Sequence, residues 1–304
     1  MRFLINIALG CFLSASSAYT AMAQTDTTDL MAQLESEVIG DSKSITNYTT
    51  ATFKTTRLIN GHTVENAGKG VLDVKISHRF GKLNAGGYEL FGLDNATMRM
   101  GLDYGISRWL MVGFGRSTFQ KTFDAFFKMK LLRQSSGKRK MPITLSYVPT
   151  IALKTLKFDD PNRKNYFSSR LFYSHQLIIG RKFSEGTSLQ LMPSFLHRNL
   201  VKLAKEPNDL FALGIGGRQK LTKRLSFNAE YYYLHPDYKL TGTTNSLSIG
   251  FDIETGGHVF QLHFTNSQGM SERTFISETS GDWAKGDIYF GFNISRVFTV
   301  GKRR

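Results

Sequence analysis

The residues able to move protons or act as nucleophiles are few in this chain, and their spacing does not assemble a catalytic set. His263 is followed by Thr265 and Asn266, and His197-Arg198-Asn199 has Ser194 as its nearest serine. Acyl transfer at a lipid surface needs a serine activated by histidine, with a third group orienting the imidazole. Neither string supplies that trio. His78, His175, His235 and His258 share parity with apolar neighbours, which suits packing or interfacial roles. Histidines without paired spacing do not predict a metal site. Gly214-Ile215-Gly216-Gly217 falls in a strand-like stretch, where glycines relieve crowding rather than cradle phosphate. The expectation is no enzyme, no cofactor and no metal.

Charged residues on one face of alternating segments offer more. Asp73, Lys75, Arg79, Arg99, Asp103, Asp124, Lys128, Lys130, Arg170, Arg218, Glu230 and Asp252, with Gln261 and His263, share the polar parity, many of them two or four residues apart. In a barrel these positions line the lumen, and two readings remain open. The charges pair and fill a narrow interior, because buried charges must be compensated. Alternatively, they line a watery path in which unpaired Arg and Lys favour anions. Gln261 and His263 with Arg79 and Arg99 would form a constriction, or simply bond to their neighbours.

The elements that must hold these residues are strands. Gly286 to Val300 places Ile288, Phe290, Phe292, Ile294, Phe298 and Val300 on one parity and Gly291, Asn293, Ser295 and Thr299 on the other, with Arg296 as the discord. A terminal strand of this kind pairs with the first to leave no open edge in lipid. About twelve such segments run from Val71 to Thr299, most near the ~10 residues of a tilted transmembrane strand. From the Ile151 loop onward, long and short connections alternate without a break, as when short turns face the periplasm and long loops face outward. An even strand count leaves both termini periplasmic. Tyr104, Trp109, Tyr231, Tyr233 and Tyr289 suit interfacial girdles, and Pro193 predicts a bulge or kink in its strand.

The first residues have another character. Arg2, an apolar run from Phe3 to Leu13 and Ala21-Met22-Ala23 have the three regions of a secretory signal, with cleavage after Ala23. Cys11 is the chain's one cysteine, so a mature chain starting at Gln24 has no disulfide or thiolate chemistry. Gln24 to Ser44 reads as a short acidic helix that leads in from the periplasm or plugs a basic lumen. Asn47 to Gly70 holds a strand-like patch, Ala51 to Leu58, and a loop, Asn60-Gly61-His62, of uncertain place. After the signal no stretch has the ~20 apolar residues of a membrane helix. The formal charge of +15 would suggest nucleic acid in a soluble exported protein. In a barrel it is carried by rims facing lipid phosphates and by the lumen, and no nucleic-acid partner is expected.

Several strings go further: His78-Arg79-Phe80-Gly81, Phe91-Gly92-Leu93-Asp94, Lys130-Leu131-Leu132-Arg133-Gln134, His197-Arg198-Asn199, Glu254 to Asn266 and Gly291-Phe292-Asn293-Ile294-Ser295-Arg296. Together they make a chain that resembles a family of outer-membrane β-barrel proteins from Bacteroidota, defined as a domain of unknown function. The resemblance runs from about Thr52 to Phe298. It implies a Gram-negative outer-membrane location and brings no activity or catalytic residue with it.

The expected architecture is therefore all-β: residues 1–23 a signal peptide, 24–70 an acidic lead-in or plug, 71–300 an antiparallel transmembrane barrel and 301–304 a basic tail. The expected function is passage of a small solute, with anions favoured by the luminal basic residues. A closed structural or adaptor barrel is the alternative, and an outer-membrane lipid hydrolase a distant third. The expected partners are outer-membrane lipids and the barrel-assembly machinery.

Overall fold

The computed structural model describes residues 45–158, 161–162, 164–201 and 203–300. The signal sequence, the acidic Gln24–Ser44 segment and the basic tail lie outside the described residues. A small antiparallel pair joins β1 (Thr46–Tyr48) to β6 (Ser135–Gly137), with Asn47 opposite Ser136. This pair belongs to a compact unit of its own, separate from the barrel.

The barrel strands are β2 (Val71–Lys82), β3 (Ala96–Gly105), β4 (Leu110–Ser117), β5 (Thr122–Leu132), β7 (Thr144–Lys154), β8 (Leu171–Lys182), β9 (Thr187–Arg198), β10 (Asp209–Lys220), β11 (Leu225–Leu234), β12 (Ser246–Thr255), β13 (His258–Thr265) and β14 (Tyr289–Thr299). Each pairs antiparallel with its neighbours, and β14 pairs with β2 to close the barrel, Ile294 standing opposite Ile76. Closure removes the free edge that lipid cannot satisfy.

Period-two alternation sets the two faces. In β10, Phe211, Leu213 and Ile215 are exposed outward while Leu210, Ala212, Gly214 and Gly216 are buried inward. Outward Met100, Leu102, Phe114, Leu189 and Leu191 continue the lipid-facing band. Short turns lie at one end, which also holds Gly70 and Val300, joined by a hydrogen bond of 2.9 Å; the connections 118–121, short but at the other end, and 133–143, longer but at this one, are the exceptions. The long loops lie at the other end, and one of them, 266–288, carries the helix α1 (Glu272–Ser277), every residue of which is buried.

Two expectations are corrected. Pro193 produces no register shift: it faces Leu213 on β10 in a regular ladder, and on the β8 side the pairing simply skips Leu177 and Ile178 before resuming at Ile179 and Leu191. The missing N–H removes a rung without changing the count. The irregularities fall instead between Tyr289 and Gly291 and between Lys130 and Leu132. Tyr289 is no girdle residue, since its parity turns it inward, where it is 4% exposed.

Candidate functional site: a filled lumen

The lumen is occupied by the chain itself. Residues 52–67 enter from the short-turn end as a tight hairpin, closed by Leu58 N–H donating to Gly61 O (2.8 Å) and Thr63 N–H donating to Thr56 O (3.0 Å). Glycine is required at the tip, because a Cβ at Gly61 would stand 2.0 Å from the Tyr232 hydroxyl. A Cβ at Gly216 would likewise meet the Leu58 side chain at 2.5 Å, so this wall glycine makes room for the hairpin.

Wall side chains hold the hairpin at its tip and its neck. Glu230 accepts the N–H groups of Asn60 (2.7 Å), Gly61 (3.1 Å) and Ile59 (3.4 Å). Lys128 donates to the carbonyls of Thr56 (3.0 Å), Thr63 (3.0 Å) and Glu65 (2.7 Å). Gln261 donates to Leu58 O (2.7 Å), Asn293 to Ile59 O (3.0 Å) and Gln190 to His62 O (2.8 Å). Arg79 reaches Asn60 Oδ1 at 2.8 Å and Asn293 at 3.1 Å. Among the described residues, no backbone-to-backbone hydrogen bond joins residues 52–67 to a barrel strand.

The opposite side of the hairpin is apolar. Phe53, Leu58 and Val64 pack into a buried cluster with Met111, Phe126, Val148, Ile178, Met192, Leu196, Leu210 and Leu234 from the wall. The apolar arc of the lumen is drawn mostly from β7–β11, joined by Met111 of β4 and Phe126 of β5, and is interrupted by the polar Gln190, Arg218 and Glu230. Phe275 and Ile276 of α1 join the apolar cluster, with Phe275 edge-on to Tyr232 at 5.1 Å. Helix and hairpin meet where Arg57 pairs with Glu272 at 2.8 Å, beside His62 at 3.4 Å. Arg273 lies over Phe172 at 3.9 Å and pairs with Glu278 at 2.8 Å. At the long-loop end Asp287 ties the base of this loop to Lys82 and Asn84 (2.9 Å each), and those bonds hold its carboxyl below the usual range.

The anticipated lumen residues divide by what they contact. Arg79, Lys128, Glu230 and Gln261 grip the hairpin, and Arg218 reaches it more loosely, at 3.4 Å from Thr52 O. Asp103 takes Lys75 at 2.5 Å and the Thr56 hydroxyl at 3.1 Å, and Asp73 takes Lys75 at 3.1 Å. Arg99 is held by both Asp124 oxygens, Nε at 2.9 Å. Lys130 sits half-buried near the turn rim, 3.7 Å from Glu65. His263 is fully buried opposite Gly291. Arg170 is not in the lumen: the strand begins one residue later, and its guanidinium bonds to the carbonyls of Lys154 (3.1 Å) and Leu156 (2.6 Å) over the Phe158 ring. Lys54 and Glu254 pair across the hairpin's entry.

The histidine strings do not gather a nucleophile. His197 bonds to Asp209 (2.6 Å) and Asn199 (3.0 Å), while Ser194 faces the lumen and accepts from Gln176 at 2.9 Å. Thr265 is engaged by the Ser248 hydroxyl at 2.8 Å. The strand-like patch expected at Ala51 to Leu58 is not a strand: its one bridge is Arg57 to His62, and the Asn60-Gly61-His62 loop left without a place is the tip of the hairpin.

A closed antiparallel barrel with an apolar outer band is a membrane-bound β-barrel of the outer-membrane type. The chain belongs to the family described as Membrane bound beta barrel domain (DUF5777), whose model matches residues 53–298, hairpin included. No curated protein matches it in sequence. Among solved structures it is similar to the outer membrane protein Omp33 of Acinetobacter baumannii, with 8% identity, 75% of this chain and 97% of that chain covered, and a TM-score of 0.42. It is similar also to the translocator domain of the autotransporter NalP from Neisseria meningitidis, with 12% identity, 90% and 96% covered, and a TM-score of 0.36. For a mutant porin of Rh. blastica the identity is 9%, the coverage 66% of this chain and 55% of that one, and the TM-score 0.32.

Proposed function

We propose that the protein is a gated outer-membrane channel that rests closed, with residues 52–67 as its gate. The observation that carries this reading is the way the hairpin is held: by wall side chains, with no backbone ladder to the barrel. Such a segment can leave without opening the cylinder, and water replaces its hydrogen bonds to Glu230, Lys128, Gln261 and Asn293 as it goes. Its way out is the short-turn end, by which it enters.

Withdrawal frees Lys128 and part of Arg79, along with Glu230 and the Glu272 that Arg57 leaves behind, while Arg99–Asp124 and Lys75–Asp103 stay paired. The open path then passes small solutes, and any anion preference rests on Arg79, whose bonds go to neutral groups. In this reading the protein belongs to a Gram-negative, Bacteroidota-type outer membrane. It is exported through a signal cleaved after Ala23 and inserted by the barrel-assembly machinery.

A closed structural or adaptor barrel is the second reading. It is favoured by the apolar cluster that joins Leu58 and Val64 to the wall. Planar-bilayer conductance separates the two. The gated reading expects the native chain to be mostly silent and Lys128→Met/Glu230→Gln to give discrete steps. Silence from both, each folded, would leave the closed barrel standing.

A further inference from the structure

Outside the barrel, over β7–β11 toward the long-loop end, the wall is hollowed by an open cavity of about 790 Å³. Leu177, Pro193, Phe195, Phe211, Leu213 and Tyr233 are prominent in its lining. It reaches the backbone near Pro193, where the β8 and β9 ladder skips two rungs. The short turn Pro236–Tyr238 overhangs one edge, with Tyr238 edge-on to Phe211 at 5.8 Å.

We infer that this groove seats one acyl chain of a membrane lipid. It is continuous with the lipid-facing band, since Leu177, Phe211 and Leu213 are outward residues of that band. Two pairs of its polar groups are already matched to each other. The Tyr147 hydroxyl lies 2.7 Å from His175 Nδ1, and His235 lies 3.4 Å from Asp237 at the overhanging edge. Neither lysine nor arginine lines it, and Asp237 stands at its edge, so no permanent cation there would hold a phosphate or a carboxylate. An alkyl chain gains no hydrophobic transfer energy on moving from bilayer to groove. What it gains is dispersion contact with a concave, rigid wall, and this distinguishes a retained chain from the lipid passing over the rest of the barrel.

The test uses the full chain reconstituted in dipalmitoyl phosphatidylethanolamine vesicles, extracted in mild detergent and weighed by native mass spectrometry. Leu177→Trp and Leu213→Trp fill the groove; Leu189→Trp changes an exposed band residue outside it. The native chain and Leu189→Trp should carry a retained lipid, and each groove variant should retain roughly tenfold less. Dipalmitoyl phosphatidylglycerol should be retained equally well, because the chain and not the headgroup is seated. Equal retention by all four proteins, no retention by the native chain, or retention that depends on the headgroup would overturn the inference.

Discussion

Lys128 and Glu230 never touch, yet they hold the same hairpin at opposite ends, the ammonium bonded to three carbonyls at its neck and the carboxylate to three N–H groups at its tip. Each charge is satisfied largely by backbone dipoles of residues 56–65. Mutual dependence follows, since the hairpin's backbone needs these charges as much as the charges need the backbone.

Lys128→Met leaves the Thr63 and Glu65 carbonyls without their donor and the Thr56 carbonyl with only the Thr63 N–H. Hydrogen bonds to a charged group are worth about 1.5–3 kcal/mol each and are not additive, so a loss of roughly 3 kcal/mol in hairpin docking is expected. Limited proteolysis of the variant should cut within residues 52–67 while the barrel keeps its compact electrophoretic mobility. Unchanged protection there would mean that Lys128 is not a clamp.

Glu230→Gln keeps the shape but turns one oxygen into a donor that opposes the Asn60 or Gly61 N–H. Hydrogen exchange at residues 59–61 should quicken, by about tenfold or more if roughly 1.4 kcal/mol is lost. The barrel strands should exchange as before.

Gly61→Ala puts a methyl group into the Tyr232 hydroxyl, and overpacking of this kind costs about 1–3 kcal/mol. Tyr232→Phe removes the nearest atom and leaves the next at 3.1 Å. The double variant should recover most of the loss in a denaturant titration, and additivity would refute the contact.

Asp124→Asn leaves Arg99 buried and uncompensated, which should cost about 3–5 kcal/mol. Arg99→Met with Asp124→Leu should cost far less, because no orphaned charge remains. Thermal unfolding of the three proteins in one detergent decides the order.

Much of the barrel was legible in sequence, because a strand facing lipid on one side and the interior on the other must alternate. The twelve strands that close the barrel lie between Val71 and Thr299, where the alternation put them, and closure of β14 on β2 follows from the same alternation in the terminal segment. The contents of the lumen were less legible. Parity tells that Arg79 and Glu230 point inward, but their partners, Asn60 and the 59–61 backbone, come from a turn with no period. α1 was hidden for the same reason: Glu272 to Ser277 is too short for a helical repeat to show, and a Ser271–Thr274 cap fixes it. Arg170 was misplaced because a strand's first residue cannot be told from the last residue of the turn before it.

The apolar arc inside the barrel lies behind the apolar band outside it, so β9 presents Met192 and Leu196 to one side and Leu189, Leu191 and Phe195 to the other. Before the barrel closes, that strand crosses an aqueous compartment with its Leu189, Leu191 and Phe195 face uncovered, a surface on which intermolecular strand pairing can begin. Pro193, at its centre, denies any intruding strand one backbone donor and so acts as a gatekeeper. The skipped rungs between β8 and β9 thus trade ladder strength for solubility in transit. Pro193→Val should make a sturdier barrel from a chain that aggregates more readily on its way to the membrane.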